Sequence, residues 1–157
     1  MSTLYVDNLE PNLGSRVMAA GHVVQVVQGT TSTRVTQNTT SHVDTGLTAS
    51  ITPTSTSSKI LVVVSQHGLD KRTDNSYMEL QLLANGGLIY QPNGQFLYNN
   101  STSAQHTGSA VFSYLHSPST TSAVTYKTVF RSPNAKNQVS VQWSNSESTI
   151  ILQEIAQ

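Results

Sequence analysis

Cysteine is absent from this chain, and charge is nearly so. Without a thiol there can be no disulfide framework, no cysteine nucleophile and no Cys-ligated zinc. The 157 residues carry 8 Lys and Arg against 8 Asp and Glu, for a formal net charge of zero. Nucleic acid and anionic lipid are bound through clustered basic residues, so no nucleic-acid partner is expected. Long hydrophobic runs are missing too. The longest, residues 60–64, is a strand's length and far short of the roughly 20 residues that cross a bilayer, so no membrane insertion is expected. Ser2 and Thr3 follow the initial Met with neither a basic nor an apolar stretch behind them, so no signal peptide is expected. No window holds an apolar stripe of helical period over three turns.

What remains is polar without charge. Ser, Thr, Asn and Gln fill about two fifths of the chain, among many β-branched Val, Thr and Ile and closely spaced turn residues. That mixture predicts an all-β fold. Strands are expected near 22–28, 46–52, 59–67, 76–84, 87–91, 109–116, 123–131, 138–144 and 147–156. Met78, Leu80 and Leu82 alternate with Tyr77, Glu79 and Gln81, and Asn85-Gly86-Gly87 then supplies a hairpin signal. Val124, Tyr126 and Phe130 share one face of their strand, and Val139, Val141 and Trp143 one face of theirs. Strand number and spacing fit an antiparallel β-sandwich of jelly-roll type over 22–157, preceded by an extended arm over 1–21.

Two strands break the alternation. Residues 60–64 are apolar on both faces, and 150–155 place Ile150 and Leu152 on one side with Ile151 and Ile155 on the other. A solvated sandwich strand has one polar face, so a second apolar face calls for a covering segment or another subunit. The arm, with Leu4, Val6 and Leu9, is one candidate for that cover. These three residues, with Ile150 and Leu152, are the expected anchoring and interface positions.

Chemistry is sparse. Eight acids are scattered, and Asp70 and Asp74 flank Lys71 and Arg72 in an expected loop at 68–75, where pairing in water is anticipated. Glycoside hydrolysis needs two carboxylates about 5–10 Å apart, and no acid sits in a setting that suggests a raised pKa. The five histidines show no paired metal-ligand spacing, with His67 and His116 considered only on a symmetry axis. Neither GxSxG nor a phosphate-binding glycine loop occurs. No catalytic residue, metal or cofactor is expected. Loop 92–108 is long for a compact domain and sets Phe96 and Tyr98 beside Asn99, Asn100 and Gln105. Rings that stack on sugars with amides that bind hydroxyls suit a neutral glycan. The competing reading makes Phe96, Leu97 and Tyr98 one more short strand facing the core.

The stretches STLYVDNLEPNLGSRV, GHVVQVVQ, GLTASITPTSTSSKILVVVSQ, SPSTTSAVTYKTVFR and STIILQEIAQ together resemble virion proteins of marine and cyanobacterial bacteriophages, tail-fibre-like proteins above all. The resemblance implies a non-enzymatic virion structural protein, made in the host cytoplasm and placed on the particle surface or tail. It implies a homotrimer whose arm engages other virion proteins and whose tip meets a host-surface glycan. The sequence has no repetitive shaft, a departure that favours a short tip, an adaptor or a capsid decoration. A monomeric carbohydrate-binding module is the alternative of another class.

Overall fold

The structure, a computed structural model, describes residues 19–72, 76–92, 94–99, 105–133 and 138–157, with Asn99 by its backbone alone. Among these residues the chain forms strands throughout, with one 3-10 turn and no α-helix. The strands are β1 (Val23–Thr31), β2 (Val35–Gln37), β3 (Val43–Ile51), β4 (Lys59–Lys71), β5 (Ser76–Ala84) and β6 (Gly87–Tyr90). They continue with β7 (Phe96–Asn99), β8 (His106–His116), β9 (Val124–Arg131), β10 (Val139–Val141) and β11 (Ser148–Ile155).

Three pairs of short strands each share one position in a sheet. β11 and β10 lie end to end along one edge of β4, and β1 and β2 pair outside them. β6 and β7 likewise share one edge of β5. The first sheet therefore runs β1/β2, β11/β10, β4, β8, and the second β3, β9, β5, β6/β7. Counted along the chain, the first position pairs with the last, the second with the seventh, the third with the sixth and the fourth with the fifth, all antiparallel. The chain is one long hairpin folded over on itself into a two-sheet sandwich, as an all-β sequence of this strand spacing predicts.

The inward residues come from strict alternation. Ile60, Val62 and Val64 of β4 meet Leu47, Ala49 and Ile51 of β3, Val124 and Tyr126 of β9, and Ile150 and Leu152 of β11. A second cluster joins Leu69, Met78, Leu80, Ala110, Phe130, Val139 and Val141. The anticipated hairpin forms at Asn85 (φ 48°) and Gly86 (φ 82°), two left-handed residues that match the twist of β5 and β6. Asn85 secures it by accepting the Thr125 N–H at 2.9 Å.

Several boundaries differ from expectation. β4 runs on to Lys71, so Asp70 and Lys71 are fully buried strand residues, not members of a solvated loop. β2 forms between the strands expected near 22–28 and 46–52, and β7 inside the 92–108 loop. The strand expected at 138–144 ends at Val141, because Gln142 adopts φ 53° and turns the chain. Trp143 therefore leaves the face it was expected to share with Val139 and Val141.

Candidate functional site

The break between β10 and β11 builds the most distinctive surface of the molecule. Gln142, Ser144 and Asn145 take φ values of 53°, 59° and 58°, all left-handed and none of them glycine. Each such residue costs about 1–3 kcal/mol and persists only where its surroundings enforce it. Gln142 N–H donates to His67 O at 3.1 Å, and the Ser146 hydroxyl donates to Trp143 O at 2.7 Å. Opposite them, β4 carries an irregularity between Gln66 and Leu69 in its pairing with β8. Gly68 lies there at φ 60°, and a Cβ on it would stand 2.4 Å from Trp143 N. Only glycine lets the two breaks close on each other.

Beneath this junction runs a buried polar layer from sheet to sheet. The Thr45 and Thr128 hydroxyls meet at 2.6 Å, and Thr128 Oγ1 donates to Gln66 Oε1 at 2.9 Å. Gln66 Nε2 donates to Ser148 Oγ at 3.1 Å, and the Gln142 amide reaches the same hydroxyl at 3.1 Å. Ser148 Oγ also accepts the His67 N–H at 2.9 Å. Thr45, Gln66, Thr128, Gln142 and Ser148 are all fully buried. Along the chain each falls between the two apolar clusters. A satisfied network of this kind rigidifies what sits on it.

What sits on it is a groove of about 450 Å³, walled by His67, Thr107, Ser109, Trp143, Ser146 and Glu147. His67 Nδ1 and Ser109 Oγ are 2.9 Å apart. Trp143 is itself held, with the Arg34 and Arg72 guanidinium carbons 4.0 and 4.2 Å from its ring centroid. Those arginines are anchored in turn. Arg34 Nη2 donates to Ser140 Oγ at 3.1 Å, and Arg72 Nε to Asp70 Oδ2 at 2.8 Å. Asp70 takes further bonds from Gln105 Nε2 at 2.8 Å and Ser140 Oγ at 3.4 Å, so three groups meet this buried carboxylate. Sequence reasoning missed the groove. Its one signal was the run QWSNSES, where turn-forming residues surround the only tryptophan.

The expected loop site is divided by the structure. Phe96 and Leu97 pack against the second apolar cluster, while Tyr98 is 51% exposed and meets Tyr77 edge-on, centroids 6.4 Å apart. Gln105 is engaged with Asp70. Asn100 and the Asn99 side chain lie outside the described residues, as do Leu4, Val6 and Leu9. Among the described residues no three His, Asp or Glu side chains gather as a metal site would require. His116 pairs with the buried Tyr126 hydroxyl at 2.9 Å, and burial lowers the His116 pKa while raising that of Tyr126.

The expected interface residues need correction. Ile150 and Leu152 are fully buried in the sandwich core, because the odd positions of β11 are the ones that point outward. The outward row of the first sheet instead sets Ile151 beside Val63, and Gln153 between Leu61 and Val26. Beyond β4 the same face continues with Leu115 opposite Leu61 and Val111 opposite Ser65. Val111, Val26, Leu115 and Val23 are 67%, 57%, 48% and 41% exposed.

No family model and no curated protein matches this sequence. Solved structures with a similar chain path include VP2 of infectious bursal disease virus in a subviral particle, at 9% identity and TM-score 0.47 over 94% of this chain and 42% of that one. A mutant VP2 from derived T=1 particles aligns at 12% identity and TM-score 0.42, over 98% of this chain and 41% of that one. The Gt strain structure aligns at 11% and 0.39, over 98% and 43%. This chain spans less than half the length of those proteins. At TM-scores below 0.5 the likeness carries no argument about function.

Proposed function

We propose that the protein is a non-enzymatic structural subunit of a phage virion, acting as a short trimeric tail-fibre or spike-type sandwich. We read its nested strand order as a jelly roll. One observation carries the assembly reading: every strand position of the first sheet turns large apolar side chains outward, with Val26, Ile151, Leu61, Val63, Val111 and Leu115 set among Gln28, Gln153, Ser65 and Ser113. Exposed apolar side chains gathered on one face mark an interaction surface.

The proposed occupant of that face is the N-terminal arm of a neighbouring copy. Gly21 N–H bonds Ala156 O at 2.8 Å, and Ala156 N–H bonds His22 O at 2.9 Å, so the arm departs beside β11 and Val23, at the border of the patch. Seventeen extended residues reach roughly 55 Å. Four strands spaced about 4.8 Å apart are far narrower than that, so the arm is long enough to reach a second subunit. Leu4, Val6 and Leu9 supply apolar side chains for the contact. The mass measured by light scattering tests both parts. The full chain should run near three chains, and a chain lacking residues 1–17 as a monomer. A monomeric full chain would overturn the assembly, and a trimer that survives the deletion would overturn the arm as its occupant.

A further inference from the structure

We infer that the groove between the β4 irregularity and the β10–β11 break is a binding site for a neutral saccharide. The inference stands on the groove alone and does not depend on how the subunit assembles. Its walls are hydroxyls from Thr107, Ser109 and Ser146, an imidazole, a carboxylate and an indole. The Thr107 hydroxyl can donate and accept, as a sugar hydroxyl does, while Ser146, which donates to Trp143 O, and Ser109, which is bonded to His67 Nδ1, keep capacity to accept. Glu147 accepts bonds from sugar hydroxyls.

Charge decides the class of sugar. Among the described residues no lysine or arginine lines the groove, and Glu147 is its one acid. Arg34 and Arg72 stand nearby but are committed to the Trp143 ring, to Ser140 and to Asp70. An anionic sugar or a phosphate would meet the Glu147 carboxylate on the groove wall itself, so a neutral ligand is favoured. The groove, about 450 Å³ and open to solvent, has room for a short stretch of sugar units. Preorganisation points the same way. Left-handed residues at 142, 144 and 145 are held by the buried polar layer, so little ordering remains to be done on binding.

The test is NMR titration of the full chain with maltotriose, cellotriose and N,N′-diacetylchitobiose, each at millimolar concentration. At least one should bind, with amide shifts confined to His67, Thr107–Ser109 and Ser144–Glu147. The double variant Ser109→Ala/Glu147→Gln changes two exposed side chains and should weaken that binding about tenfold or more, equivalent to the loss of about 1.4 kcal/mol. Its unshifted amides elsewhere report that the fold is intact. Absence of binding by all three probes would overturn the inference. So would binding that maps to Phe96 and Tyr98, or that the double variant leaves unchanged. Tighter binding of a sulfated oligosaccharide than of any neutral one would overturn the assignment of charge class.

Discussion

The two outer faces of the sandwich are built from the same strand geometry and opposite chemistry. Sheet two turns ion pairs and hydroxyl pairs outward across β3, β9 and β5, with exposed Leu88 and Tyr98 only at its edge strands β6 and β7. Lys127 Nζ pairs with Asp44 at 2.7 Å, Arg131 Nε with Glu79 at 2.5 Å, and Ser50 with Thr125 at 2.8 Å. These are cross-strand pairs of the kind that let an antiparallel sheet face water. Sheet one turns out Val26, Leu61, Val63, Val111, Leu115 and Ile151 in the corresponding positions. Folding alone requires only the inward faces to be apolar, and across β3, β9 and β5 sheet two meets that requirement with charged and hydroxyl pairs outside. On the proposed assembly, the outward apolar side chains of sheet one meet another copy of the chain.

The contrast can be sharpened by substitutions one residue apart. Ile150→Ala removes a fully buried side chain from the core and should cost about 2–5 kcal/mol in a urea titration of the chain lacking residues 1–17. Ile151→Ala, on the outward side of the same strand, should cost that same chain about 1 kcal/mol or less. Equal losses would mean that the outward face is packed within the subunit. On sheet two, Lys127→Ala breaks a half-exposed ion pair and should cost about 0–1 kcal/mol, with no change in the mass of the full chain. A change of mass there would place an interface on the polar face instead.

The smallest effect is a dependence on pH. Burial lowers the pKa of His116, and burial with the nearby Arg131 lowers that of His42, whose Nε2 is buried without a partner. In the folded protein these rings bind fewer protons than in the unfolded chain, whose histidines titrate near 6.5. Their contribution to stability is thus complete above pH 6.5 and declines as pH falls through that value. The urea midpoint should drop between pH 7.5 and 5.5, and His116→Gln should remove part of the drop. A flat midpoint would contradict the burial of both rings.

The sheets were legible in the sequence because burial imposes period two. Met78, Leu80 and Leu82 alternate with polar neighbours, and the second apolar face of 60–64 announced that sheet one is unlike sheet two. The choice between Ile150 and Ile151 was not legible. Both are isoleucine, and the inward set of β11 is fixed by its register against β4, a long-range pairing. The buried Asp70 was hidden for a related reason. Its partners Gln105 and Ser140 are 35 and 70 residues away, so the local run of charges read as a solvated loop. The groove was least visible of all. It depends on left-handed conformations at Gln142, Ser144 and Asn145, and none of these is the glycine that would have marked the turn.

The outer face of sheet one is tested most directly by the light-scattering mass of the full chain carrying Val63→Glu and Ile151→Glu. These neighbours both point outward, so two carboxylates there leave the core untouched while charging the centre of the patch. A monomer with the circular dichroism spectrum of the unsubstituted protein is the expected result. A trimer retaining both glutamates would contradict the account, since that face could not then be where the subunits meet.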